Sequence, residues 1–186
     1  MIRILAVIAA LVCVAPALAQ PLPAKLDKQN ALVIDTTKGR IVIQLRPDIA
    51  PRHAEQMKLL AREGFYNNVP FHRVIDGFMA QTGDGQNFDG TGHSSHPNPP
   101  DEFSNVPFQR GVVGMASTSA PNSSNSQFFI TFGDASFLNG KYSVVGQVVQ
   151  GMDVVDKLKK APPGSSSGAV SDPDKMLKVQ VASDIK

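Results

Sequence analysis

Cysteine occurs once in this 186-residue sequence, at Cys13, and tryptophan not at all. Cys13 falls in a stretch with one positive charge at Arg3, an apolar run from Ile4 to Val14 and an Ala-x-Ala pattern at Ala17 and Ala19. That stretch reads as a secretory signal peptide cut after Ala19. Cleavage removes the only thiol, so the mature chain holds no disulfide and takes its stability from packing. The apolar run is short for a bilayer span and is followed by Pro16, which argues against a membrane anchor. Val12 stands where a lipoprotein signal wants a small residue. Runs of basic residues are also missing, and the formal net charge is only +2, which argues against nucleic acid as a partner. The length suits one domain with a full core. The chain divides into a signal peptide at 1–19, a flexible, polar, proline-bearing lead-in at 20–30 and a single domain at 31–186.

Strands dominate what is present. Residues 31–45 give two apolar runs around Thr37-Lys38-Gly39, a hairpin signature. Pro51 opens a helical pattern with Ala54, Met57, Leu60 and Ala61 on one face, and Gly64 closes it. Residues 71–84 read as two strands broken at Asp76-Gly77. Residues 83–100 form a long Gly/Asn/Ser/Pro loop, of a length usually functional or mobile. Further strands fall at 111–115, 126–132, 144–149 and 176–181. A second helix is predicted over 151–160 with Met152, Val155 and Leu158 buried, followed by a proline- and serine-rich loop at 161–174. Strands that follow one another through short turns, with only two helices, favour a closed eight-stranded antiparallel β-barrel capped by the helices.

The chemistry concentrates in 71–84. Period-two alternation places Arg73 on the face of Phe71, where an unpaired guanidinium is costly, so it must find partners or line a cleft. Phe78, Met79 and Gln81 supply apolar surface and an amide within the nine residues from Arg73 to Gln81. Of Phe128 and Phe129, alternation turns one inward. His72 reads as a satisfied structural histidine. His93 and His96, with Asp101 and Glu102 nearby, lack the frame of a metal site and read as a solvated loop. Gly83-Asp84-Gly85 is too acidic for a phosphate cradle, and the serines at 165–167 look like linker.

The blocks Phe71-His72-Arg73, Gly77-Phe78-Met79-Ala80-Gln81 and Ser126-Gln127-Phe128-Phe129-Ile130, with Gly90-Thr91-Gly92 between them and Phe137-Leu138-Asn139-Gly140 after them, resemble the cyclophilin family of peptidyl-prolyl cis/trans isomerases. The resemblance spans the chain from Leu32 to the final strand and includes a similarity to bacterial periplasmic members. It implies a filled barrel with the site on an outer face, Arg73 as the catalytic arginine and Gln81 as the group that orients it. Phe78, Met79, Phe129 and Leu138 would receive the substrate proline. Gln127, Gly90 and the backbone of Ala116 and Ser117 would hold the flanking peptide, with Phe137 and Tyr142 completing the binding set. Phe137 stands where many eukaryotic members have tryptophan, and Tyr142 where a histidine is frequent. Without the indole donor, cyclosporin would bind only weakly. Ser117 replaces a frequent asparagine in a segment, 115–121, one residue longer than the eukaryotic pattern, and Asp76 replaces a turn proline. The implied enzyme is a monomer without cofactor or metal, acting in the periplasm on proline-containing peptides and on unfolded or partly folded exported proteins. Two other readings fit a secreted barrel. One is a peptide-binding or chaperone module without turnover. The other is a lipocalin-like carrier, which requires a hollow interior where Ile41, Ile43, Val113 and Phe128 predict a filled one.

Overall fold

The computed structural model describes residues 21–186, so the signal-peptide reading of 1–19 lies outside the described residues. The lead-in is not a free tail. Leu22 and Leu26 pack on Ala31, Val33, Val42 and Ala182 on the outside of the sheet. Asp27 accepts from the backbone N–H of Gln29 and the amide of Asn30, and its own N–H donates to Gln44 Oε1 at 3.0 Å.

The predicted hairpin forms from β1 (Ala31–Thr36) and β2 (Gly39–Leu45), with Leu32 opposite Ile43 and Ile34 opposite Ile41. Helix α1 (Pro51–Arg62) follows, its proline inside the first turn, where no N–H is needed. The remaining strands are β3 (Val69–Pro70), β4 (Arg73–Ile75), β5 (Met79–Thr82), β6 (Val112–Met115), β7 (Phe128–Thr131), β8 (Val144–Gln150) and β9 (Lys175–Val181). They form one antiparallel sheet in the order β3-β9-β1-β2-β8-β6-β7-β5-β4.

Among the described residues nine strands stand where eight were expected, because pairing is interrupted between Val69–Pro70 and Arg73–Ile75. The two ends of the sheet, β3 and β4, are consecutive in the chain and separated only by Phe71 and His72. Across this seam Thr82 Oγ1 of β5 donates to the Pro70 carbonyl of β3 at 2.8 Å. The interruption also overturns the expected parity. Phe71 and Val74 both enter the interior cluster, so Arg73 falls on the outer face instead of sharing Phe71's. The backbone at Phe71 donates to Asp174, while that at His72 accepts from Val170 beside an antiparallel bridge of Arg73 to Ala169, so the chain changes partner here.

The interior is filled. Ile41, Ile43, Val113, Phe128 and Ile130 are buried in one cluster, into which α1 sends Ala54, Met57, Leu60 and Ala61. A packed barrel of this kind has no ligand chamber, which removes the carrier reading. Helix α2 (Met152–Asp156) is shorter than predicted. The backbone N–H of Lys159 goes to Asp174 and that of Ala161 to the Val74 carbonyl, so tertiary partners take donors that a longer helix would have used internally. Val154, Val155 and Leu158 are buried, and Met152 packs against the core edge.

Candidate active site

A single row of residues crosses the outer face of the sheet. Arg73 of β4 lies opposite Gln81 of β5, Gln81 opposite Phe129 of β7, Phe129 opposite Gly114 of β6, and Gly114 opposite Val144 of β8. Alternation then puts Met79 beside Gln81 on that face, while Ala80, Phe128 and Ile130 point inward. The outer face carries its own apolar cluster of Met79, Phe108, Val112, Phe129, Leu138 and Val144, with Phe78, Ala116 and Tyr142 at its margin. Gly114 permits it, since a Cβ there would stand 2.6 Å from both the Phe108 and Phe129 rings. Phe129 stacks on Phe108 at 5.6 Å and meets Tyr142 edge-on at 5.8 Å, which fixes its ring as a floor.

Above that floor is an open depression of about 420 Å³ lined by Arg73, Phe78, Met79, Gln81, Ala116, Ser117, Phe129, Leu138 and Tyr142. Phe137 is 60 % exposed, and its ring lies 5.3 Å from that of Phe78, so it stands beside Phe78 and is not among the lining residues. Gly90 and Gln127 line an adjoining depression, with Gln81, Ala116 and Ser117 shared between the two. The sequence-predicted residues are thus gathered in one double groove, with Phe137 at its edge.

Arg73 is held on two sides. Its Nε–H donates to the Ser167 carbonyl at 2.9 Å and its Nη1 to Gln81 Oε1 at 3.3 Å, while Nη2 makes no hydrogen bond among the described residues. Burial pulls the guanidinium's pKa down, but arginine begins so high that it stays charged. The loop read as linker therefore supplies a clamp. Gly168 follows Ser167 with φ +71° and presses against Ile75, where a Cβ would stand 2.5 Å from Cγ1. A backbone carbonyl carries no residue-type signature, so sequence reasoning missed it.

Residues 83–100 contain no helix or strand, yet they are anchored. The buried Asp84 carboxylate accepts the N–H groups of Gln86 and Asn87 on one oxygen and of Gly90 and Gly92, with a longer bond from Asp89, on the other. Burial pushes its pKa up, but these backbone donors outweigh burial and bring it down to about 2. Glu102 plays the same part at α1, accepting the N–H groups of Arg52 and His53 and facing His53 Nδ1 at 2.7 Å. Burial raises its pKa and these donors lower it, with a net fall. His93 Nδ1 faces the Ser94 carbonyl, and His96 pairs with Glu63.

His72 is buried, and among the described residues neither ring nitrogen has a hydrogen bond of good geometry, its nearest backbone partner being Pro70. Burial lowers its pKa against the opposing pull of Asp84 and Asp89. A histidine whose folded pKa lies below the unfolded value loses stability as the pH drops beneath about 6.5. The urea midpoint is therefore expected to fall between about pH 7.5 and pH 5, and to fall less in His72→Leu, which cannot take up the proton. Parallel pH profiles for the two proteins would assign the loss elsewhere.

A filled antiparallel barrel with a clamped arginine beside an apolar depression on its outer wall defines the architecture of a cyclophilin. Residues 31–181 match the family model described as "Cyclophilin type peptidyl-prolyl cis-trans isomerase/CLD", and the chain belongs to that family. A probable peptidyl-prolyl cis-trans isomerase of Brucella suis is 52% identical over 170 residues, covering 86% of each chain. Among solved structures, a cyclophilin from Hirschia baltica superposes with TM-score 0.76 at 29% identity, covering 87% of this chain and 77% of that one. A cyclophilin-type isomerase from Cryptosporidium parvum, crystallised in the presence of the dipeptide Ala-Pro, gives TM-score 0.72 at 28% identity, covering 81% of this chain and 98% of its own. The protein is a peptidyl-prolyl cis-trans isomerase of the cyclophilin type.

Proposed function

We propose that the enzyme accelerates rotation about X–Pro bonds in exported proteins during their folding, using Arg73 to stabilise the twisted amide. Planar amide resonance sets a barrier of about 18–20 kcal/mol, so unaided X–Pro rotation takes tens to hundreds of seconds, slow enough to limit folding. At the midpoint of rotation conjugation is lost. The prolyl nitrogen regains a lone pair, and the amide as a whole becomes less polar. An apolar floor such as Phe129, Met79 and Leu138 favours that less polar form over the planar one. A guanidinium donor aimed at the nitrogen or the adjacent carbonyl strengthens only as twisting proceeds, which is the condition for raising kcat. No covalent intermediate, metal or cofactor takes part.

The observation that carries this reading is the lateral row that sets the clamped Arg73 at the rim of the pocket floored by Phe129. The neighbour crystallised with Ala-Pro supports a proline peptide as the occupant. Exchange between cis and trans forms of a short X-Pro peptide, followed by NMR, is expected to speed up on adding the protein, and unchanged exchange would end the proposal.

The export half of the proposal rests on Arg3, the apolar run and Ala17-x-Ala19. Expression in a bacterial host is expected to yield a periplasmic protein whose N-terminal sequence begins at Gln20. A cytoplasmic product that still carries Met1 would refute it.

A further inference from the structure

A directional chain of hydrogen bonds runs from Asp84 to Arg73. The Asp84 carboxylate draws in the N–H groups of Gly90 and Gly92 at 2.8 and 3.0 Å. The carbonyls of the same two glycines accept from Gln127 Nε2 at 2.9 and 2.7 Å. Gln127 Oε1 accepts from Gln81 Nε2 at 3.0 Å, and Gln81 Oε1 accepts from Arg73 Nη1 at 3.3 Å.

Carbonyl oxygens only accept, so two of them at one end of the Gln127 amide force its NH₂ toward Gly90 and Gly92. Its oxygen must then face Gln81, whose NH₂ turns to meet it. The Gln81 oxygen is left pointing at Arg73. An amide alone has two nearly isosteric orientations, one of which would set NH₂ against the guanidinium, donor against donor. Gly90 takes part because φ +96° lets its backbone present N–H to Asp84 and C=O to Gln127.

We infer that Gln127 and Asp84 are positioning residues that fix the orientation of the Gln81 amide and, through it, of Arg73. This rests on the proposed role of Arg73 and goes beyond peptide contact as the purpose of Gln127.

The test uses the full mature chain with the NMR exchange assay and the Arg73 Nε–H resonance. Gln127→Leu is expected to lower kcat/KM about tenfold, mainly in kcat, the worth of one hydrogen bond to a charged group. The Arg73 Nε–H signal is expected to shift or broaden in the same variant. In a Gln81→Glu background the dependence should vanish, because a carboxylate presents an oxygen to Arg73 in either orientation. Adding Gln127→Leu there is expected to change kcat by less than about twofold, the non-additivity of coupled sites, while any loss of its own peptide contact still shows in KM. If Gln127→Leu folds poorly, Gln127→Met keeps the unbranched stem and reads the same quantity. A loss confined to KM with the Arg73 signal unmoved, or an equal loss of kcat in the Gln81→Glu background, would overturn the relay. Arg73→Ala separates the two claims: an effect there without one at Gln127 sinks the relay alone, and no effect at Arg73 sinks the mechanism beneath it.

Discussion

Arg73→Ala is expected to lower kcat/KM toward an X–Pro peptide by about 100- to 1,000-fold, the usual worth of about 3–4 kcal/mol for one preorganised donor to the transition state. The loss should appear in kcat with little change in KM, because the donor's hydrogen bond tightens only as the amide twists. Stability should change little. Arg73 is half-buried on the outer face, and truncation frees one end of the Ser167 and Gln81 bonds in a groove open to solvent. Arg73→Lys keeps the charge but loses the planar fork that the Ser167 carbonyl and Gln81 grip from two sides, so it is expected to recover only a small part of the activity. Rates for Arg73→Ala within threefold of wild type would remove the guanidinium from the mechanism.

Phe129→Ala should damage fold and function together. The side chain is 5 % exposed, stacks on Phe108 and is the floor on which the proline would sit. Emptying such a site is expected to cost about 3–5 kcal/mol of stability, read as a lower urea midpoint at constant m-value. The surviving folded fraction should bind peptide poorly, raising KM, in contrast to the kcat signature of Arg73→Ala. Phe129→Leu, which restores part of the volume, should recover most of the stability and a part of the binding. A Phe129→Ala protein with unaltered KM would show that the proline sits elsewhere.

Much of this arrangement can be read in the sequence, for reasons that differ by residue. The contrast between Phe128, inside the barrel, and Phe129, on its outer wall, follows from strand alternation alone. The grouping of Arg73, Gln81, Gln127, Phe129 and Leu138 followed from the family blocks, since those residues are far apart in sequence and only the pairing of β4, β5 and β7 brings them together. Parity at Arg73 was misread because alternation holds only while a strand continues, and Pro70, lacking an N–H, sits at the point where this one stops. Glu102 capping α1 was invisible because the carboxylate arrives from 49 residues away. Asp84 did leave a signal: an aspartate ahead of Gly85, Gly90 and Gly92 invites Asx-type turns in which one side chain gathers successive backbone donors.

Arg73 is the first residue beyond the two-residue link that joins the end strands of the sheet. Loosening of the Thr82–Pro70 bond at that seam would leave Arg73 opposite Gln81 within one hairpin, but would free that hairpin to shift against β3. With Arg73 in the proposed role, turnover is expected to fall at that first breach of the wall, before circular dichroism registers a change. On that proposal, the rate of proline flipping would gauge whether the ring is shut.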